Sequence, residues 1–136
     1  MITGQHQLRV LQVNLRHSKS ASIHLSQVIL DLDLDLLLIQ EPYAFLSPSG
    51  DIIVDNIPPG YASFHNLSND HAFGAVILAK TSLNATAAHF ADSNHCCCVR
   101  VSPNLLFFSI YSGLFFLRSI FVSTQSQAVF YLRLRC

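Results

Sequence analysis

The chain has 136 residues, 51% of them hydrophobic and 12% charged, with zero net charge and a mean hydropathy of +0.39. For 136 residues, one domain is the expected count. The charged share is about half the usual one, a high apolar load for so short a soluble protein. Nucleic-acid binders usually carry a basic stripe. The neutral balance argues neither for nor strongly against DNA, because the carboxylates of a metal site dilute the count.

Four cysteines are present, and three of them, Cys96, Cys97 and Cys98, are consecutive, with Cys136 apart. Three in a row do not make a regular disulfide framework. Met1 to Gln7 is polar, so no signal peptide is read. The expected setting is reducing and intracellular, in the nucleus or cytoplasm. The sequons at Asn66 and Asn84 are then chance matches.

In chain order, Leu8 to Asn14 alternates as a strand does. His17 to Ser22 is a polar turn that offers helix caps in Ser18, Ser20 and Ser22. Ile23, Gln27, Leu30 and Leu34, with Val28 and Ile29 between them, predict a helical face. Asp35 restarts the chain. Leu36 to Ile39 is a continuous apolar run that suits an interior strand covered on both sides. Pro42 stops it, having no N–H to donate.

Loop signals follow at Ser47-Pro48-Ser49-Gly50, then a short strand at Ile52 to Val54. Pro58-Pro59-Gly60 is a turn and Tyr61 to His65 the next strand. Asn66 to His71 is polar loop, and Phe73 to Ala79 a clear strand. Thr86 to Phe90, Cys96 to Val101 and Leu105 to Tyr111 are further candidates. Many short strands after one strand–helix–strand opening predict a mixed sheet or a two-sheet sandwich.

The opening carries the chemistry. Leu11-Gln12-Val13-Asn14 and Ile39-Gln40-Glu41-Pro42-Tyr43 are apolar runs that each end on a polar side chain. A strand, a crossover helix and a parallel strand bring both strand ends to one edge of a sheet. Asn14 and Glu41 are therefore expected to meet. An amide and a carboxylate at a sheet edge suit Mg²⁺, which takes one or two carboxylates with water and phosphoryl oxygens.

With these two motifs and the helix between them, the segment from Leu8 to Tyr43 resembles the endonuclease domain of R1-type non-LTR retrotransposons, in the endonuclease/exonuclease/phosphatase superfamily. The likeness continues more loosely through Pro58-Pro59-Gly60-Tyr61 and Ala75 to Ala79, and reaches Phe108-Ser109-Ile110-Tyr111. It implies an α/β fold: a partial DNase I-like sandwich, its N-terminal half, with a mixed sheet. It also implies DNA as partner and Mg²⁺ (or Mn²⁺) as cofactor. Glu41 matches the glutamate that binds the metal. Asn14 matches the asparagine that orients metal and catalytic groups. Tyr111 matches a tyrosine that donates a hydrogen bond to the phosphate, although Ser112-Gly113 follows it where the family carries a Pro-containing turn.

The family also cleaves with an Asp-x-Asn pair and a later Asp-His pair. In the places where the family carries them, this sequence is read as lacking both. Without them a bound metal lacks a positioned nucleophile and a balanced transition-state charge. The expectation is therefore residues 1–113 as a partial domain, residues 114–136 as an unrelated hydrophobic tail, and little or no nuclease activity. An open sheet edge and an uncovered apolar face would make the chain poorly soluble.

Other motifs read more plainly. Ser68-Asn69-Asp70-His71 and Asp55-Asn56 come too early to be family motifs and are polar loops. Asp31, Asp33 and Asp35 alternate like a calcium loop, but Leu36 stands where such a loop needs glycine. A helix end running into a strand explains them. His89, His95 and Cys96 to Cys98 lack zinc-site spacing. Leu105 to Val122 approaches membrane-span length, but Arg118 within it costs roughly 2.5–3.5 kcal/mol on insertion scales. A core strand followed by a hydrophobic tail fits better than a span. Non-catalytic binding of nucleic acid or protein, and a small membrane-associated protein using 105–122, are the alternatives.

Overall fold

A computed structural model of the chain describes residues 8–67, 74–87, 96–101, 106–111 and 129–135. The described strands, in chain order, are β1 (Leu8–Asn14), β2 (Leu36–Gln40), β3 (Ala44–Leu46), β4 (Ile52–Val54), β5 (Tyr61–His65), β6 (Ala75–Lys80), β7 (Thr86–Ala87), β8 (Cys96–Val101), β9 (Leu106–Tyr111) and β10 (Val129–Arg135). The helix α1 (Lys19–Leu32) joins β1 to β2. A five-stranded sheet has the order β10-β1-β2-β6-β5, a three-stranded sheet the order β7-β8-β9, and β3 and β4 form a separate hairpin.

The opening is the expected parallel crossover: β1 and β2 run side by side, from Val10 opposite Leu36 to Asn14 opposite Gln40. β6 is antiparallel to both β2 and β5, so the sheet is mixed. All five residues of β2 are buried, because both faces of this sheet are covered. On one face Leu8, Val10, Leu36, Leu38, Ala75, Ile77 and Ala79 pack with Val99 and Val101 of β8. On the other, Leu11, Val13, Leu37, Ile39, Val76 and Leu78 pack with Leu25 and Ile29 of α1. Helix, sheet and second sheet thus form successive layers around the period-2 alternation of β1, β2 and β6. Each fully buried Leu or Ile contributes about 1.5–3 kcal/mol relative to exposure.

Ser18 caps α1: its hydroxyl accepts the Ala21 N–H at 3.1 Å. Asp33, in the left-handed region at φ 49°, ends the helix by donating its N–H to the carbonyls of Ile29 and Leu30. The face turned to the sheet is Ser22, Leu25 and Ile29. The predicted face is displaced from it, since Ile23 and Leu30 are half exposed. Ile23 and Leu30 follow Ser22 and Ile29 by one residue each, and one residue rotates the stripe by about 100°.

Two strands lie where no strand was predicted. β3 follows Pro42 closely and pairs with β4 across the Ser47–Gly50 turn, where Gly50 takes φ 92°. β10, within the segment read as a tail, pairs in parallel with β1 from Leu8 opposite Val129 to Asn14 opposite Arg135. The Leu105–Val122 stretch does not form one helix, because Leu106–Tyr111 is strand β9, antiparallel to β8. Among the described residues, no helix is long and apolar enough to cross a membrane.

Candidate functional site at the shared rim of β1 and β2

Both strands leave the sheet at the same rim, with Asn14 the register partner of Gln40. The two exits are tied together. Leu15 donates its N–H to the Gln40 carbonyl and His17 donates to the Glu41 carbonyl, each at 3.0 Å. Glu41 in turn donates its N–H to the Gly74 carbonyl at 3.0 Å, which ties the rim to the start of β6.

The backbone here is bent tightly without glycine. Arg16 and His17 take φ 50° and 60°, and Glu41 takes φ 50°. Left-handed backbone costs an ordinary side chain about 1–2 kcal/mol, and such strain concentrates at functional sites. Asn14 supports the bend, since its Oδ1 accepts the Arg16 N–H at 2.9 Å. This is the local turn that asparagine side chains favour, and it leaves the oxygen a second lone pair.

The Glu41 side chain is 26% exposed, and its Oε2 lies 4.0 Å from His17 Nε2. That separation is within ion-pair range but too long for a hydrogen bond. Gln12 and Gln40 are buried behind Asn14, and Gln12 Nε2 donates to Gln40 Oε1 at 3.3 Å. By strand alternation, Gln12, Asn14 and Gln40 fall on the face that meets the second sheet.

Among the described residues, no group of three or more His, Cys, Asp or Glu side chains could hold a metal ion. Among the described residues, the rim offers the partly exposed Glu41 carboxylate and, on the adjoining strand end, the Asn14 amide. That donor set suits a cation that keeps most of its water and takes further oxygens from a phosphate, as Mg²⁺ does.

Tyr111 ends β9, opposite Cys96 in the antiparallel register, and its side chain lies outside the described residues. Ser68–His71, His89 and His95 also lie outside them. Asp31 pairs with Gln27 on α1, whereas Asp33 and Asp35 hold Lys80 at the opposite end of the sheet. Asn56 fastens the hairpin exit to α1: its Nδ2 donates to Ser22 Oγ at 3.3 Å, and its carbonyl accepts from Ser26 Oγ at 2.8 Å.

The sequence reading missed the left-handed turns at Arg16 and His17 and the Gln12–Gln40 bond. Glycine usually signals the former, and none is present. The latter had a signal, two glutamines inside apolar strands.

No family model matches the sequence, and no curated protein matches it. Among solved structures, the fold matches the "Endonuclease domain of TRAS1, a telomere-specific non-LTR retrotransposon" with a TM-score of 0.62. The two chains are 23% identical, and the match covers 82% of this chain and 47% of that one. This chain therefore shares part of the DNase I-like α/β fold of a non-LTR retrotransposon endonuclease domain, and it spans about half the length of that solved chain.

Proposed function

We propose that the chain is a partial, Mg²⁺-dependent DNA endonuclease domain that nicks DNA little or not at all by itself. Glu41 would ligate the cation (Mg²⁺ or Mn²⁺), and Asn14 would orient the groups around it. Tyr111 would donate a hydrogen bond to the phosphate. The cation, when bound, supplies charge stabilisation at the scissile phosphate. The chain's own residues hold the rim that presents it. The observation carrying this reading is the parallel register of β1 and β2, with Asn14 opposite Gln40 and Glu41 next in the chain.

The expectation of inactivity rests on the lack, at the family's positions, of the Asp-x-Asn and Asp-His pairs. Residues 114–136 belong to this proposal as a segment of separate origin, although Val129–Arg135 within it pairs with β1. A Gly-Asp-Phe-Asn-like motif in a neighbouring reading frame of the locus would support separate origin.

Plasmid nicking by the purified chain with Mg²⁺ tests the proposal. No nicking above a protein-free control is expected, together with Mn²⁺ binding that Glu41→Ala abolishes. Nicking lost in Glu41→Ala would overturn the inactivity and keep the site. Mn²⁺ binding that ignores Glu41→Ala would remove the site. The half-length match favours a second reading, a non-catalytic nucleic-acid or protein-binding fragment. DNA retention that is unchanged by EDTA would select it.

A further inference from the structure

The face of the five-stranded sheet that meets β8 is lined by Leu8, Val10, Leu36, Leu38, Ile77 and alanines. Two of its positions break that pattern. Gln12 is 1% and Gln40 7% exposed, and they are bonded to each other. A buried amide without a partner costs about 1–3 kcal/mol in proteins. A hydrogen-bonded pair escapes most of that cost but gains little over well-packed leucines. Polar residues kept in a core therefore point to a role other than stability.

Their position supplies the role. Gln40 is the last residue of β2, and Glu41 follows it at φ 50°. The Gln40 carbonyl receives the Leu15 N–H, and its neighbours in register are Asn14 on β1 and Ala75 on β6. Its backbone is thus held on both sides, and its side chain is held from behind by Gln12.

We propose that Gln12 and Gln40 form a buried amide clasp that positions the rim. The clasp sets the end of β2 so that the left-handed turn at Glu41 turns its carboxylate outward beside Asn14. Gln12 and Gln40 are positioning residues, acting through Glu41 and Asn14 without touching cation or substrate. The inference rests on the proposed metal role of Glu41 for its functional meaning, but not for its structural content.

The test uses the full chain and three variants, Gln12→Leu, Gln40→Leu and the double variant. Mn²⁺ binding is followed by water-proton relaxation and backbone amides by hydrogen exchange. The double variant is expected to melt as high as the wild type or higher, because two leucines repack the face. It is also expected to bind Mn²⁺ roughly 10-fold or more weakly, the range seen when groups supporting a metal ligand are removed. The amides of His17 and Glu41 should exchange faster in each variant, while those of Val13 and Leu38 stay protected. Unchanged exchange at His17 and Glu41 would overturn the clasp, whatever the metal result. Failure of the wild type to bind Mn²⁺ would overturn the metal role of Glu41 alone, leaving exchange to decide the clasp. Wild-type Mn²⁺ affinity in the double variant would remove the positioning role.

Discussion

Lys80 holds Asp33 and Asp35 together at the end of the sheet opposite Asn14 and Glu41. Its ammonium is hydrogen-bonded to Asp33 Oδ1 and lies 3.5 Å from Asp35 Oδ1. The Lys80 hydrogen bond, and then the Lys80 charge, hold the Asp33 carboxyl below its ordinary 3.8. Burial pulls the Lys80 amine down, but the bond to Asp33 and the charges of Asp35 and Asp33 outweigh it, so the amine titrates above 10.5.

The acid arm of stability follows from this pairing. A depressed carboxyl contributes stability that is complete above 3.8 and is lost as pH falls through its lower folded value. The raised amine contributes stability present below 10.5 and lost as pH rises through its folded value. Lys80→Met is expected to remove both dependences. Urea midpoints measured from about pH 2.5 to about pH 6 should then fall less on acidification than in the wild type. Parallel curves for the two proteins would refute the pairing.

His65 gives a second pH dependence, nearer neutrality. Burial pushes its imidazole below 6.5, and its Nδ1 accepts the Leu67 N–H at 3.3 Å. Protonation would remove that acceptor. The folded state therefore favours neutral His65, with stability complete above 6.5 and lost as pH falls through the lower folded value. His65→Phe should melt at a temperature that varies less between about pH 5 and about pH 7.5 than that of the wild type.

Glu41 sits at φ 50°, so the identity of the residue there sets a backbone cost. In ordinary positions alanine is more stable than glycine. Here the order should reverse, with Glu41→Gly more stable than Glu41→Ala by about 1 kcal/mol. Denaturant unfolding of the two variants decides this. Glu41→Gly should also exceed the wild type, because glycine adopts a positive φ without the Cβ penalty.

Leu38 has no exposure and lies between the two sheets, packed with Val10, Ile77 and Val99. Leu38→Ala should cost roughly 2–5 kcal/mol. Ser18→Ala, which removes the N-cap of α1, should cost about 1 kcal/mol. Equal midpoints for these two variants would contradict the layered packing.

The fold was legible in the sequence where local pattern and tertiary demand coincide. β1, β2 and β8 lie where alternation and apolar runs placed them, and α1 starts at a predicted cap. Asn14 and Glu41 share a rim because a parallel crossover leaves the chain no other arrangement. β3 escaped because Ala44-Phe45-Leu46 is too short for its periodicity to register, and its pairing is set by β4. β10 escaped for a different reason. Its place depends on the free flank of β1, a long-range circumstance that no local window contains. The inward face of α1 was read one residue off, since apolar residues lie on both sides of the Ser22–Leu25–Ile29 stripe. Ser22 faces inward, where Asn56 donates a hydrogen bond to it.

The pairing of Leu8 with Val129 means that the first described strand is completed by the last described one. Ribosomal synthesis is directional, so β1, α1 and β2 can assemble long before β10 emerges. Loop closure over such a span adds only about 0.6 kcal/mol per doubling of its length. The burden is one of timing, because non-local pairing slows folding. Throughout elongation, β1 presents a naked row of amides and carbonyls. Until then the unpaired flank of β1 is the kind of strand edge on which another strand can add.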